Sequence, residues 1–171
     1  MHFQLNTCTL RSWRLSDAES LVKYANNRNI WLNLRDRFPH PYTPRDARAF
    51  FDSILGKEPE TVFAIDVGGE AIGGVGFALQ KDVDRVSAEL GYWIAEPFWG
   101  RGIATEAVVA VTQYALAQHQ ELTRIFAVPF TRNVASCRVL EKAGYVFEGS
   151  LRRSAIKDGV IVDQCLYAFI P

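Results

Sequence analysis

The sequence predicts an α/β fold in which helices pack on one central sheet. Residues 62–77 have the pattern of two apolar strands joined by a Gly-Gly turn. Residues 103–118 are apolar except for a narrow polar stripe, which indicates a largely buried helix. Strands and helices of these two kinds recur toward the C-terminus, and such a mixture packs best as helices on a sheet.

The length and composition predict one domain covering residues 1–171. The chain has 171 residues, of which 49% are hydrophobic and 22% are charged, so it can bury one core but is short for two. Lysine plus arginine equals aspartate plus glutamate at 19 each. No global charge therefore drives binding to nucleic acid or to an acidic membrane, although a local basic patch stays open.

The cysteines and the apolar runs predict a cytoplasmic protein. Cys8, Cys137 and Cys165 form no CxxC pair, and their odd number argues against a disulfide framework. The first residues do not resemble a signal peptide, and no apolar run reaches membrane-spanning length. No metal site and no membrane partner are expected.

Two helices are predicted in the first third of the chain. Ser16-Asp17-Ala18-Glu19 has the form of a capping box and starts a helix that should end near Asn26-Asn27. Thr43-Pro44-Arg45-Asp46 is a second helix start, with proline in the first helical position, and this helix should end by Gly56. Residues 26–42 between them form an aromatic and polar loop.

The remaining two thirds of the chain alternate between strands and helices. The hairpin of residues 62–77 is followed by a third strand at about Ser87 to Ala95 and by the helix Ile103 to about Gln118. The last predicted elements are a strand at Arg124 to Val128, a helix at Val134 to Lys142, and two strands around Lys157-Asp158-Gly159.

A glycine-rich turn between the third strand and its following helix is the strongest functional signal. Gly100 and Gly102 allow a tight turn and close approach of a ligand, while free N–H groups at the helix start attract an anion. Arg101 adds a positive charge. The spacing excludes a Walker A loop and departs from the dinucleotide fingerprint at Thr105. The alternative is a glycine turn that only packs a helix on a sheet.

Four segments together resemble the GNAT superfamily of acetyl-CoA-dependent N-acetyltransferases. They are ELGYWI at 89–94, PFWGRGIATEA at 97–107, NVASCRVLEKAGY at 133–145 and FEGSLR at 147–152. The most similar branch holds the ribosomal-protein N-terminal acetyltransferases, and the resemblance covers nearly the whole chain. It implies a mostly antiparallel mixed sheet, split at one parallel strand pair, with helices on both faces.

The resemblance also implies where acetyl-CoA binds. The N–H groups of about Gly100 to Thr105 would bind the pyrophosphate, and strand backbone would pair with pantetheine. Trp99 stands where glutamine or arginine is commoner, which leaves the main-chain cradle intact. The residues assigned to acetyl-CoA are Trp93, Ile94, Ala95, Trp99, Gly100, Arg101, Gly102, Ile103, Ala104, Thr105, Asn133 and Ser136.

Two residues are expected to assist the chemistry. Glu89 would take the amine proton through water, with an ion pair to a cation such as Arg85 as the alternative. Leu140 occupies the position where many members carry a tyrosine acid, so Ser136 is assigned to the leaving sulfur. The alternative is that Asn133 is a helix N-cap and Ser136 a first-turn residue, and Asn133 can fill both roles.

The loop at 26–42 is the predicted acceptor side, because aromatic and polar side chains alternate there. The residues assigned to the acceptor are Trp31, Asn33, Arg35, Asp36, Phe38 and Tyr42. The alternative is that these aromatic side chains belong to the core.

The predicted function is acetyl transfer from acetyl-CoA to a primary amine by direct attack. The amine would belong to a protein N-terminus or to a small molecule. A covalent route through Cys137 lacks the adjacent histidine and positive field that activate a thiolate. The alternative function is a CoA-binding sensor or assembly module without catalysis. The predicted partners are acetyl-CoA and an amine acceptor, with a homodimer left open.

Overall fold

The structure, a computed structural model, describes residues 2–171 and contains one eight-stranded sheet. The strands are β1 (His2–Gln4), β2 (Thr9–Arg11), β3 (Val62–Val67), β4 (Glu70–Leu79), β5 (Ser87–Ile94), β6 (Arg124–Ala127), β7 (Val146–Lys157) and β8 (Val160–Phe169). The helices are α1 (Ala18–Ala25), α2 (Arg28–Trp31), α3 (Pro44–Ile54), α4 (Ile103–Gln118) and α5 (Val134–Lys142).

The strand order is β1-β2-β3-β4-β5-β6-β8-β7, and the sheet is mixed. β5 and β6 are parallel and pair through Ser87–Arg124, Ala88–Ile125 and Glu89–Phe126. Antiparallel pairs are formed by β1 with β2, β2 with β3, β3 with β4, β6 with β8 and β7 with β8. This confirms the expected mixed sheet with one parallel pair.

Contacts within the chain form two compact units, so the single domain over residues 1–171 stays a prediction. The first unit contains the residues up to Gly76 together with Tyr92–Ala107. Its core lies between α1, α3 and the strands β3 and β4. The buried members are Trp13, Leu21, Ala25, Tyr42, Ala47, Phe51, Ala64 and Ala71.

A buried arginine also holds the first unit together. The Arg11 guanidinium on β2 donates two hydrogen bonds of 2.8 Å to Asp17 and one of 2.8 Å to Asp66 on β3. All three side chains are at most 10% exposed. Because each charge has its partner, the ion pairs join the start of α1 to the sheet.

The two predicted helix starts differ in how well they were placed. At α3 the predicted start is confirmed, with Thr43 as the N-cap and Pro44 as the first helical residue. Thr43 N–H donates to Asp46 and Asp46 N–H donates to Thr43 Oγ1, which forms a capping box that was not predicted. At α1 the helix is preceded by a 3₁₀ turn over Leu15–Asp17. There the Asp17 carboxylate accepts from the N–H of Arg14, so the chain turns two residues earlier than the predicted box.

The loop predicted at residues 26–42 contains the short helix α2. Asn27 Oδ1 accepts the N–H groups of Asn29 at 2.8 Å and Ile30 at 3.2 Å, which caps this single turn. Asn26 Oδ1 accepts the N–H of Tyr42 at 3.1 Å. The two ends of the loop are therefore held together.

The second unit contains Phe77–Gly91 and Val108–Pro171. The predicted mostly buried helix is confirmed within it, since Val108, Val111, Thr112 and Ala115 of α4 are buried. Thr112 and the phenol of Tyr145 form a buried hydrogen bond of 2.7 Å. β7 and β8 form a long hairpin that turns at Asp158 and Gly159, both with positive φ.

The bounds of α4 and α5 agree with the sequence prediction, and β3, β5 and β6 agree to within one residue. The strands β1 and β2 were not predicted. Each has only three residues, and their side chains do not alternate clearly between apolar and polar. Among the described residues, no helix combines the length and the apolar character needed to cross a membrane.

Candidate functional site

The glycine turn before α4 has the backbone that the sequence predicts. Gly100 and Gly102 adopt φ values of +76° and +79°, which side chains other than glycine rarely tolerate. An added Cβ at either position would meet no protein atom within 4 Å. The glycines are therefore required by the backbone, and the space in front of them is open to a ligand.

The same turn presents a row of unpaired donors. Within the described part of the chain, the N–H groups from Gly100 through Thr105 have no protein acceptor. The first intrahelical bond of this region runs from Glu106 N–H to Gly102 O at 3.2 Å. Such donors, at the positive end of a sixteen-residue helix, fit a diphosphate.

Trp99, at the start of this turn, uses its ring nitrogen inside the protein. Its Nε1–H donates to the carbonyl of Ile94 at 2.7 Å, while the N–H of Ala95 donates to Ile72 O at 2.8 Å. The carbonyl of Ile94 and the N–H of Ala95, two backbone groups assigned to pantetheine, therefore already have protein partners. Trp99 as a whole residue is 47% exposed.

The Arg101 side chain contacts the 3₁₀ turn Glu96–Phe98, which precedes the glycine turn. Its Nη2 donates to Pro97 O at 2.9 Å, and its guanidinium lies 5.1 Å from the centre of the Phe98 ring. The side chain is exposed. The guanidinium charge is thus available at the glycine turn, although one of its N–H groups already donates to Pro97 O.

The sequence did not predict a set of hydrogen bonds, called here the Glu106 clamp, that joins Glu106 of α4 to Asn6 and Thr7. Glu106, in the first helical turn, accepts the N–H and the hydroxyl of Thr7 at 2.9 Å each and the amide of Asn6 at 3.3 Å. Burial acts to raise the pKa of Glu106, but these hydrogen bonds hold it below its usual value. The donors lie 99 or more positions away in sequence, so no local pattern signals the contact.

The residues assigned to acceptor binding lie partly in the core and partly at the surface. Tyr42 is only 5% exposed, and burial raises its pKa to about 12, so its ring is a core group. Phe38 lies 5.0 Å from the Tyr42 ring and 5.6 Å from the Trp93 ring. Trp31, half-buried, lies 5.7 Å from His40.

The polar acceptor candidates lie in the same loop. Asn33 is half-buried and donates from Nδ2 to Asn29 O at 3.0 Å. Arg35 and Asp36 are exposed. The aromatic part of the loop is thus partly core, as the alternative reading holds, and its polar part faces solvent.

Glu89 lies on β5 in the second unit. It is half-buried and pairs with Phe126 in the parallel ladder. Arg85, the cation offered as its alternative partner, instead donates to the carbonyl of Asp82 at 2.9 Å.

Asn133 and Ser136 lie at the start of α5, also in the second unit. Asn133 Oδ1 accepts the N–H of Ser136 at 3.2 Å, so Asn133 is the helix N-cap. Ser136 is half-buried in the first helical turn, near the positive end of the helix dipole. Leu140 is fully buried, so the position of the usual tyrosine faces the core.

Cys8 and Cys137 are poor nucleophiles. Burial raises the pKa of the Cys137 thiol, and burial raises the pKa of Cys8 to about 11. A thiol with a raised pKa stays protonated at neutral pH. The described residues also contain no group of three or more His, Cys, Asp or Glu side chains that could hold a metal ion.

Comparison with known proteins agrees with this geometry. The sequence model of the acetyltransferase (GNAT) domain matches residues 8–146. The uncharacterized N-acetyltransferase YoaA of Bacillus subtilis is 38% identical over 59% of this chain and 56% of its own. The ribosomal-protein-serine acetyltransferase of Escherichia coli is 32% identical over 59% of this chain and 55% of its own. The matched segments thus span about half the length of these relatives.

A solved structure extends the likeness to the whole fold. The ribosomal L7/L12 α-N-protein acetyltransferase RimL, in complex with coenzyme A, superposes with a TM-score of 0.85. It is 21% identical and covers 99% of this chain and 98% of its own. The family match covers most of the chain and includes the glycine turn, so the chain belongs to the GNAT acetyltransferase family, with relatives among the ribosomal-protein acetyltransferases.

Proposed function

We propose that this protein transfers the acetyl group of acetyl-CoA to a primary amine by direct attack. The amine belongs to a protein N-terminus or to a small molecule. The observation that carries the proposal is the row of unpaired N–H groups from Gly100 through Thr105, with two positive-φ glycines and open space before them. A diphosphate satisfies these donors better than water alone.

Direct attack needs a neutral amine, and we assign its proton to Glu89. The amine nitrogen forms a bond to the thioester carbonyl carbon, the carbon–sulfur bond breaks, and the amine proton passes through water to the carboxylate. Acetyl-CoA supplies the thioester when bound. An α-amine titrates near ~8, so a half-buried carboxylate is a sufficient base for it.

The leaving sulfur carries developing negative charge, and we assign its stabilisation to Ser136. The Ser136 hydroxyl donates a hydrogen bond to the sulfur, which leaves as a thiolate and takes its proton from solvent. Its place in the first turn of α5 supports this, because the helix dipole favours negative charge there. Asn133 keeps its Nδ2 available for a pantetheine carbonyl while its Oδ1 caps the helix.

The acceptor is proposed to bind along the loop at residues 26–42. Trp31 and Phe38 provide half-buried aromatic surface, and exposed Asp36 provides a negative charge for a cationic group. Arg35 and Asn33 provide further donors. Tyr42 supports Phe38 from the core. The similarity to a ribosomal-protein-serine acetyltransferase supports a protein as the first acceptor to test, and we propose its N-terminal amine.

The alternative function is a CoA-binding sensor or assembly module that has lost catalysis. The buried Leu140 at the usual tyrosine position favours it. Mixing the protein with acetyl-CoA and a panel of amines, with N-terminal peptides among them, separates the two. Thiol release that requires an amine supports the transferase, whereas CoA binding without thiol release supports the sensor.

The proposal includes a cytoplasmic location and a homodimer, and it excludes nucleic acid as a partner. All three cysteines are free, which supports a reducing compartment. β7 is an edge strand with exposed apolar side chains at Val146, Phe147 and Ile156, which supports self-association. Light scattering at the mass of one chain would contradict the homodimer.

A further inference from the structure

Glu96 follows β5 and opens the 3₁₀ turn Glu96–Phe98 that leads into the glycine turn. Its carboxylate accepts from Asn27 Nδ2 at 2.7 Å and from Asn29 Nδ2 at 3.1 Å on each oxygen. These donors lie 67 and 69 positions earlier in the chain. All three side chains belong to the first unit, so the contact joins two distant segments of one compact body.

Each of the two asparagines also holds the loop that begins at α2. The Asn27 amide cannot rotate freely, because its oxygen caps Asn29 and Ile30 while its nitrogen bonds Glu96. Asn29 O accepts Asn33 Nδ2 at 3.0 Å. A single helical turn is marginal by itself, so its position depends on such contacts and on burial of Ile30.

On its other side, Glu96 is tied to the glycine turn. Its backbone carbonyl accepts the N–H of Trp99 at 3.1 Å. The neighbouring Pro97 carbonyl accepts from Arg101, whose guanidinium also lies on the Phe98 ring. The edge of Phe98 in turn meets Tyr24 of α1 with ring centres 6.0 Å apart.

We propose that Glu96 is a positioning residue that couples occupancy of the glycine turn to the order of the acceptor loop. A ligand on the N–H groups of Gly100 to Thr105 restrains Trp99 and Arg101, and through them the turn that carries Glu96. The carboxylate then restrains α2 and the residues after it. This inference rests on the proposed function, because it uses the CoA and acceptor assignments made above.

The contact is suited to positioning rather than to stability. Glu96 is exposed, and hydrogen bonds from Asn27 and Asn29 hold its pKa below the usual value, so the carboxylate is charged at neutral pH. Exposed charged contacts contribute little to the free energy of unfolding. Their loss should therefore change the melting temperature little while it frees α2.

Amide hydrogen exchange with CoA as the probe tests the coupling without requiring turnover. In the parent protein, saturating CoA should slow exchange at residues 100–106 and also at residues 29–33. In Glu96→Ala, CoA should still slow exchange at residues 100–106. At residues 29–33, exchange with CoA bound should be about fivefold to tenfold faster than in the parent, because most of the protection there is lost. Glu96→Gln, which keeps an acceptor oxygen, should restore part of the CoA-dependent protection at residues 29–33.

Glu58→Ala is the matched control, since Glu58 is an exposed glutamate of the same unit away from the turn. It should behave as the parent. Protection at 100–106 alone in the parent, or full protection of 29–33 in Glu96→Ala, would overturn the coupling. Absence of protection at both segments in the parent would instead refute the CoA site of the proposed function.

Discussion

Ser136 and Asn133 form one short motif with an observed structural role and a proposed chemical role. The motif predicts both a helix cap and a pantetheine contact, and the structure contains the cap. The proposed chemical role belongs to the hydroxyl of Ser136, whereas the cap bond uses its backbone N–H. The sequence could predict this pair because the cap is local, with its two partners three positions apart.

Replacing Ser136 by alanine should slow turnover more than it weakens acetyl-CoA binding. A single donor to developing charge typically contributes ~10²- to 10³-fold in kcat, and a weak acid such as serine should stay within that range. Steady-state kinetics and calorimetry on Ser136→Ala measure both effects. Equal losses in rate and affinity would assign the hydroxyl to cofactor binding instead.

Replacing Glu89 by glutamine should lower kcat with acetyl-CoA affinity unchanged. Loss of a general base typically costs ~10²- to 10⁴-fold, and the loss should be smaller at high pH, where more of the amine is already neutral. The pH–rate profiles of Glu89→Gln and of the control Glu58→Gln give the test. A profile of Glu89→Gln that overlays the parent at every pH would leave Glu89 a purely structural residue.

At the scale of elements, long periodic segments were predictable and short ones were not. α4 is predictable because it is a sixteen-residue apolar run that follows the glycine turn, and α5 because its nine residues follow an Asn N-cap and end before a glycine. The one-turn α2 and the three-residue strands β1 and β2 are too short for a period to appear. Their positions depend on distant partners such as Glu96 and Glu106.

The Glu106 clamp on the turn between β1 and β2 should be sensitive to acid. The folded-state pKa of Glu106 is below its usual value, so its stabilisation is fully present above the ordinary glutamate pKa. It is lost as the pH falls through the lowered folded value. Melting temperatures of the parent and Glu106→Gln should therefore differ near neutrality and converge below about pH 4. A constant difference at every pH would exclude the carboxylate as the cause.

At the scale of the whole molecule, the mixed sheet could be predicted but its buried charges could not. Apolar periodicity and the resemblance predict six of the eight strands and one parallel pair, which the structure identifies as β5 with β6. Arg11, Asp17 and Asp66 look like ordinary surface residues in sequence, yet they are buried together. The three side chains meet only because the tertiary fold brings their segments together. No local sequence pattern predicts that contact.

Removing one member of this cluster should destabilise the protein strongly. Asp66→Ala leaves the Arg11 charge buried with one partner fewer, and breaking a buried ion pair typically costs about 3–5 kcal/mol. Glu70→Ala, which breaks the exposed pair with Lys23, should cost below about 1 kcal/mol. Urea unfolding of both variants measures the difference. Similar losses from the two would contradict the structural role of the buried pair.

The central claim is that the glycine turn from Gly100 to Thr105 binds the diphosphate of acetyl-CoA. Calorimetric titration of Gly102→Val with acetyl-CoA tests it most directly, with Gly159→Val as the matched control. Both glycines have positive φ, at +79° and +74°, and open space at Cβ, so the backbone strain is comparable.

Gly102→Val should weaken acetyl-CoA binding by about 100-fold or more, as expected if two charge-assisted hydrogen bonds are lost. Gly159→Val, in the distant turn between β7 and β8, should bind as the parent does. A folded Gly102→Val that binds acetyl-CoA as tightly as the parent would contradict the account.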